Sequence, residues 1–66
     1  MGDIEYEYRV YTVDNAGRIA GAKDFKCRGD EDARGRVQAM LGTQILELWR
    51  GVAFLGRFDP RYRPAG

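Results

Sequence analysis

Histidine and serine are absent from this 66-residue chain, and cysteine occurs once, as Cys27. No Ser-His or Cys-His pair can therefore form, which removes the commonest routes to covalent catalysis and leads us to expect a protein that is not an enzyme. One cysteine cannot make an internal disulfide. Cys27 with carboxylates alone is a poor donor set for zinc, so neither a metal nor a cofactor is expected. The longest apolar run, Val52 to Leu55, is far short of the ~20 residues that span a bilayer, so no membrane association is expected. No basic segment followed by an apolar one opens the chain, so no signal peptide is expected. Met1-Gly2 begins like a myristoylation site, but Tyr6 stands where Ser or Thr is required. A lone thiol without a disulfide partner fits a reducing compartment, hence a cytoplasmic protein.

Small size sets the next limit. A single domain over residues 1–66 is all the length allows. A domain of this size buries only about 60% of its unfolded surface. Disulfides, a metal or oligomerisation make up such a shortfall elsewhere. With the first two excluded, a homo-oligomer, most simply a dimer, is expected, with another protein as the alternative partner.

Net charge is +1, unevenly spread. Residues 1–33 hold eight acids and five bases, net −3, whereas residues 34–66 hold two acids and six arginines, net +4. Such a division suits complementary contacts within a fold or between copies. It also suits an acidic partner or nucleic acid.

Hydrophobic patterning predicts five elements. The run Tyr6–Val13 is rich in β-branched and aromatic residues and reads as a strand. Its two faces are Tyr6, Tyr8, Val10, Thr12 and Glu7, Arg9, Tyr11, Val13; neither is fully polar. Asp14-Asn15-Ala16-Gly17 reads as a turn. A second strand is predicted over Arg18–Cys27, with a bulge or bend near Gly21. A helix is predicted over Glu31–Leu41, with Asp30 as N-cap, an apolar stripe of Ala33, Val37, Met40 and Leu41, and Gly42 at its end. Residues 1–5 read as a frayed start, and the Pro-interrupted 59–66 as a loose tail beyond an ordered core of about 6–58.

The stretch Gln44–Phe58, QILELWRGVAFLGRF, reads as a hairpin turning at Arg50-Gly51. That loop pairs Trp49 with Val52, Leu48 with Ala53, Glu47 with Phe54, Leu46 with Leu55 and Ile45 with Gly56. One face, Leu46, Leu48, Ala53 and Leu55, is assigned to the helix. The other, Ile45, Trp49, Val52 and Phe54 with Glu47 as its one charge, is the candidate interface. The bland alternative for that face is cover by the N-terminal segment or the tail.

Four other motifs compete. Arg50–Arg57 resembles the RNP1 motif of RNA-recognition domains at Arg50, Gly51, Ala53 and Phe54. Val52 and Arg57 replace two stacking aromatics, which leaves Phe54 alone to hold a base. The corresponding alternative is a nucleic-acid-binding module using Arg50, Phe54, Arg57, Arg61 and Arg63. Arg28-Gly29-Asp30 spells an adhesion tripeptide but sits where a helix needs its entry residues. Cys27, beside Lys26 and Arg28, has the neighbours of an activated thiol, although a buried small hydrophobe is the commoner state. Asp30, Glu31 and Asp32 have the composition of a helix cap rather than of an acid/base pair.

The order YRVYTVDNAGRIAGAKDFKC, a short acidic-capped helix and then LELWRG resembles small alphaproteobacterial proteins of unknown function. Tyr8, Val10, Tyr11, Asp14, Gly17, Ile19, Glu47, Leu48, Trp49 and Gly51 carry the resemblance, over about residues 6–58. It implies a ββαββ order and a bacterial, cytoplasmic origin, and it transfers no activity. The combined expectation is an α+β fold: a four-stranded, mainly antiparallel sheet with one helix on one face.

Overall fold

The computed structural model describes residues 4–61, so Tyr62, Arg63 and most of the expected tail lie outside the described residues. The described chain runs β1 (Tyr6–Val13), β2 (Ile19–Cys27), α1 (Asp30–Met40), β3 (Ile45–Arg50) and β4 (Ala53–Phe58). The strands form one antiparallel sheet in the order β2-β1-β3-β4, and α1 packs on it. The expected ββαββ α+β architecture is therefore the one observed. The chain crosses once, through α1, so that β3 returns beside β1 and the two become the central strands.

The β1–β2 turn is built by Asp14. Its Oδ1 accepts bonds from the Ala16 and Arg18 amides at 3.0 and 2.9 Å, and the Gly17 amide donates to its carbonyl at 3.0 Å. Gly17 takes φ of 81°, a conformation that a side chain resists. The expected irregularity near Gly21 is a bulge. Thr12 pairs with Gly21 and Val13 with Ile19, which leaves Ala20 as the extra residue.

The helix starts one residue earlier than the sequence suggests. Gly29 is the N-cap, with no side-chain cap bond, and Asp30 is already helical. Its carboxylate is engaged elsewhere, accepting the Tyr8 hydroxyl at 2.8 Å and Arg50 Nη1 at 3.3 Å. Tertiary partners thus outcompete the local cap. At the other end Leu41 turns extended, and Gly42 does not adopt a positive φ. Ala33 and Val37 of the predicted stripe are fully buried and Leu41 packs at the core edge, but Met40 is exposed.

The β3–β4 hairpin departs from its predicted register. Its loop is Gly51-Val52 rather than Arg50-Gly51, because Gly51 supplies the positive φ of 59° that the turn needs. Arg50 pairs with Ala53 and Trp49 with Phe54. A bulge at Leu55 then sets Leu48 against Gly56, Glu47 against Arg57 and Leu46 against Phe58. The core face therefore takes Phe58, and Leu55 through the bulge, while the predicted core residue Ala53 is exposed. Tyr8, Val10, Cys27, Ala33, Val37, Leu46 and Leu48 form the core between sheet and helix.

Candidate interface on the open sheet face

Side chains alternate across a strand, so the residues between the core positions face away from α1. On β1 these are Glu7, Arg9, Tyr11 and Val13. Register sets Trp49 beside Arg9, Glu47 beside Tyr11 and Ile45 beside Val13 on β3. On β2 it sets Lys26 beside Glu7, Asp24 beside Arg9 and Ala22 beside Tyr11.

An aromatic row crosses this face. Tyr11 meets Trp49 edge-on at 6.4 Å between ring centres, and Trp49 meets Phe54 at 5.2 Å, both within the range of favourable ring pairs. Phe54 is 51% exposed and Ile19 61% exposed, although both are large and apolar. Tyr11, Ile19, Glu47, Trp49, Gly51 and Val52 frame an open depression of about 330 Å³.

The structure brings Trp49 and Phe54 of the predicted interface together. Ile45 is half-buried on the same face, and Val52 stands at the hairpin tip with 98% of its surface exposed. Sequence reasoning missed Tyr11 and Ile19. The period-2 pattern of β1 already placed Tyr11 with Arg9 and Val13. What it lacked was the knowledge that β3, and with it Trp49, lies next to β1.

Two ion pairs flank the row. Arg9 donates to both carboxylate oxygens of Asp24 through Nε and Nη2, at 2.6 and 3.1 Å, with each side chain about half exposed. The Arg9 hydrogen bonds hold the Asp24 carboxyl below its ordinary range, and Asp24 in turn strengthens the hold of Arg9 on its proton. On the other side Arg57 Nη2 donates to Glu47 Oε2 at 2.8 Å, while the Trp49 indole N–H approaches Oε1 at 3.5 Å. The Glu47 side chain is only 18% exposed, beneath its aromatic neighbours.

The arginines of the nucleic-acid alternative are not gathered on one surface. Arg50 lies on the helix side, bonded to Asp30 and stacked over the Tyr6 ring at 5.0 Å. Arg57 is on the open face with Glu47, and Arg61 pairs with Asp59 at 3.1 Å. Arg63 lies outside the described residues.

Asp30, the acid of the tripeptide, is occupied by Tyr8 and Arg50. Burial, and then the bond to Asp30, pushes the Tyr8 phenol above its ordinary value. Cys27 is 1% exposed, and burial likewise raises its thiol, away from the reactive thiolate. Among the described residues no group of three or more Cys, Asp or Glu is placed to hold a metal, and no helix is long and apolar enough to cross a membrane. Against known proteins, no family model, no curated protein and no solved structure matches the chain.

Proposed function

We propose that this protein is a cytoplasmic, non-catalytic interaction domain that self-associates through its open sheet face. The observation that carries the reading is the Tyr11–Trp49–Phe54 row, ringed by exposed Ile19 and Val52, on the face that α1 does not cover. Aromatic side chains in such a patch are the usual anchors of protein interfaces.

Charge supports a second copy as the partner. Among the described residues of this face, Glu7, Asp24 and Glu47 oppose Arg9, Lys26 and Arg57, so the face is formally neutral. Two copies can meet without like-charge repulsion, as an isologous contact requires. Nucleic acid is the weaker reading, because a phosphate backbone selects a collected basic surface and the described arginines of that alternative are each paired with an acid.

Sedimentation equilibrium from tens to hundreds of micromolar tests the proposal. The average mass is expected to rise above the monomer's 7.5 kDa towards twice that value. A monomer mass at every concentration overturns it.

A further inference from the structure

The open face offers a second copy more than one way to dock, and its details select among them. The edges are less suited to pairing than the face: the Leu55 bulge interrupts β4 in its middle, whereas the Ala20 bulge lies at the start of β2 and leaves Gly21–Cys27 regular but carrying Lys23, Asp24 and Lys26. A bulge breaks the regular row of amides and carbonyls that an added strand needs. A partner that covers the aromatic row must come face-on.

The two halves of the face also differ. On the β1–β2 half, Arg9 and Asp24 are 51% and 50% exposed and remain well hydrated. On the β3–β4 half, Trp49 and Phe54 lie side by side, and Glu47 is 18% exposed beside an Arg57 that is still 56% exposed. Glu47 has given up most of its water for Arg57 and a long contact with the indole N–H. An apolar occupant here would strip the water from Arg57 and leave donors unpaired, a costly arrangement. An occupant that brings a carboxylate satisfies the remaining Arg57 donors, and one that also brings a cation adds a partner for Glu47.

A second hairpin of the same sequence supplies both. Resting on the reading that the protein self-associates, we infer that two copies dock hairpin on hairpin, about a two-fold axis that runs along the strands between β3 and β4. Such an axis exchanges β3 and β4 between copies but keeps each cross-strand row in place. Glu47 then faces the partner's Arg57, and Arg57 faces the partner's Glu47. In the next row Trp49 faces the partner's Phe54, and Phe54 faces the partner's Trp49. The four charges form a closed ring, each guanidinium serving two carboxylates through its several N–H groups. The aromatic row provides the apolar contact, and the charge ring fixes the register and rejects other apolar surfaces.

A charge exchange tests this arrangement. The Glu47→Arg/Arg57→Glu double variant preserves every acid–base pairing within its own dimer and gives up only the long Trp49 contact to Glu47, so it is expected to self-associate about as tightly as the wild type. A mixed dimer of variant and wild type sets acid against acid and base against base. Fluorescently labelled wild type and variant are therefore expected to form homodimers and no heterodimer in an energy-transfer titration. Each single variant, Glu47→Arg or Arg57→Glu, is expected to raise the dimer dissociation constant by about 30-fold or more.

Heterodimers forming as readily as homodimers overturn the inference while leaving self-association intact. A wild type that is monomeric throughout overturns the reading on which the inference rests. Circular dichroism establishes that each variant is folded. Should the exchange variant not fold, Glu47→Gln and Arg57→Met replace it. Their equimolar mixture is expected to prefer the heterodimer, which alone retains one intact pair across the interface; statistical mixing refutes the inference.

Discussion

Leu48 and Trp49 are neighbours on β3 that face opposite sides of the sheet, and truncating each in turn separates the core from the proposed interface. Leu48 is 0% exposed, packed between the sheet and α1 in a central strand. Leu48→Ala leaves a cavity in the middle of a small core, and comparable truncations cost about 2–5 kcal/mol. At about 0.05–0.15 kcal/mol per residue, a chain of this length holds only about 3–10 kcal/mol in total. A loss near 3 kcal/mol therefore consumes about 30% or more of the stability, and with a urea slope of about 1 kcal/mol/M it lowers the midpoint by about 3 M. The loss is expected to be the same at every protein concentration.

Trp49→Ala forfeits two ring contacts, to Tyr11 and Phe54, for a cost of about 1–3 kcal/mol in the monomer. In addition, if the proposed self-association holds, the wild-type unfolding midpoint rises with concentration and Trp49→Ala is expected to abolish that rise. Urea titrations followed by circular dichroism at two concentrations a hundredfold apart measure both effects. A Leu48→Ala midpoint lowered by less than about 1 M refutes the weight given to Leu48 burial. A Trp49→Ala midpoint that still rises with concentration as the wild-type midpoint does refutes the role proposed for Trp49.

Three further outcomes are expected. Asp24 titrates below the unperturbed carboxyl value of about 3.9 because Arg9 binds its ionised form, so its stabilising contact is present above that pH and is lost as pH falls through the depressed folded value. An NMR titration of Arg9→Met is expected to return Asp24 towards the unperturbed value; an unchanged value would show that Arg9 is not the cause. Gly51→Ala forces a side chain into φ of 59° and is expected to cost about 1–2 kcal/mol in thermal or urea unfolding, whereas Gly42→Ala, at a position without positive φ, costs less. Cys27 is expected to resist thiol reagents in the native protein and to react as the chain unfolds, so its labelling rate in increasing urea should track the unfolded fraction; rapid native labelling would contradict its burial.

The elements that the sequence specifies most clearly are those with local causes. Tyr6–Val13 follows from β-branched and aromatic residues, the Asp14–Gly17 turn from an Asx bond and a glycine at positive φ, and α1 from its apolar spacing. The β3–β4 register was less legible, because the Leu55 bulge answers to packing that no local pattern announces. The face of Trp49 and Phe54 was nonetheless assigned correctly: the predicted partner of Trp49 was two residues away from the observed one, and a two-residue slip preserves the face.

By itself, then, the sequence determined the ββαββ order, the two-faced hairpin and the absence of histidine and serine chemistry, since each depends on residue type or on spacing along the chain. Tertiary structure alone decided which strands became neighbours. The crossover through α1 brought β3 beside β1, and that adjacency joined Tyr11 to Trp49 in one row. It also drew Asp30 from capping its helix to holding Tyr8 and Arg50. Contacts between residues far apart in sequence carry no local signature, because their energy exists only once the chain has closed upon itself.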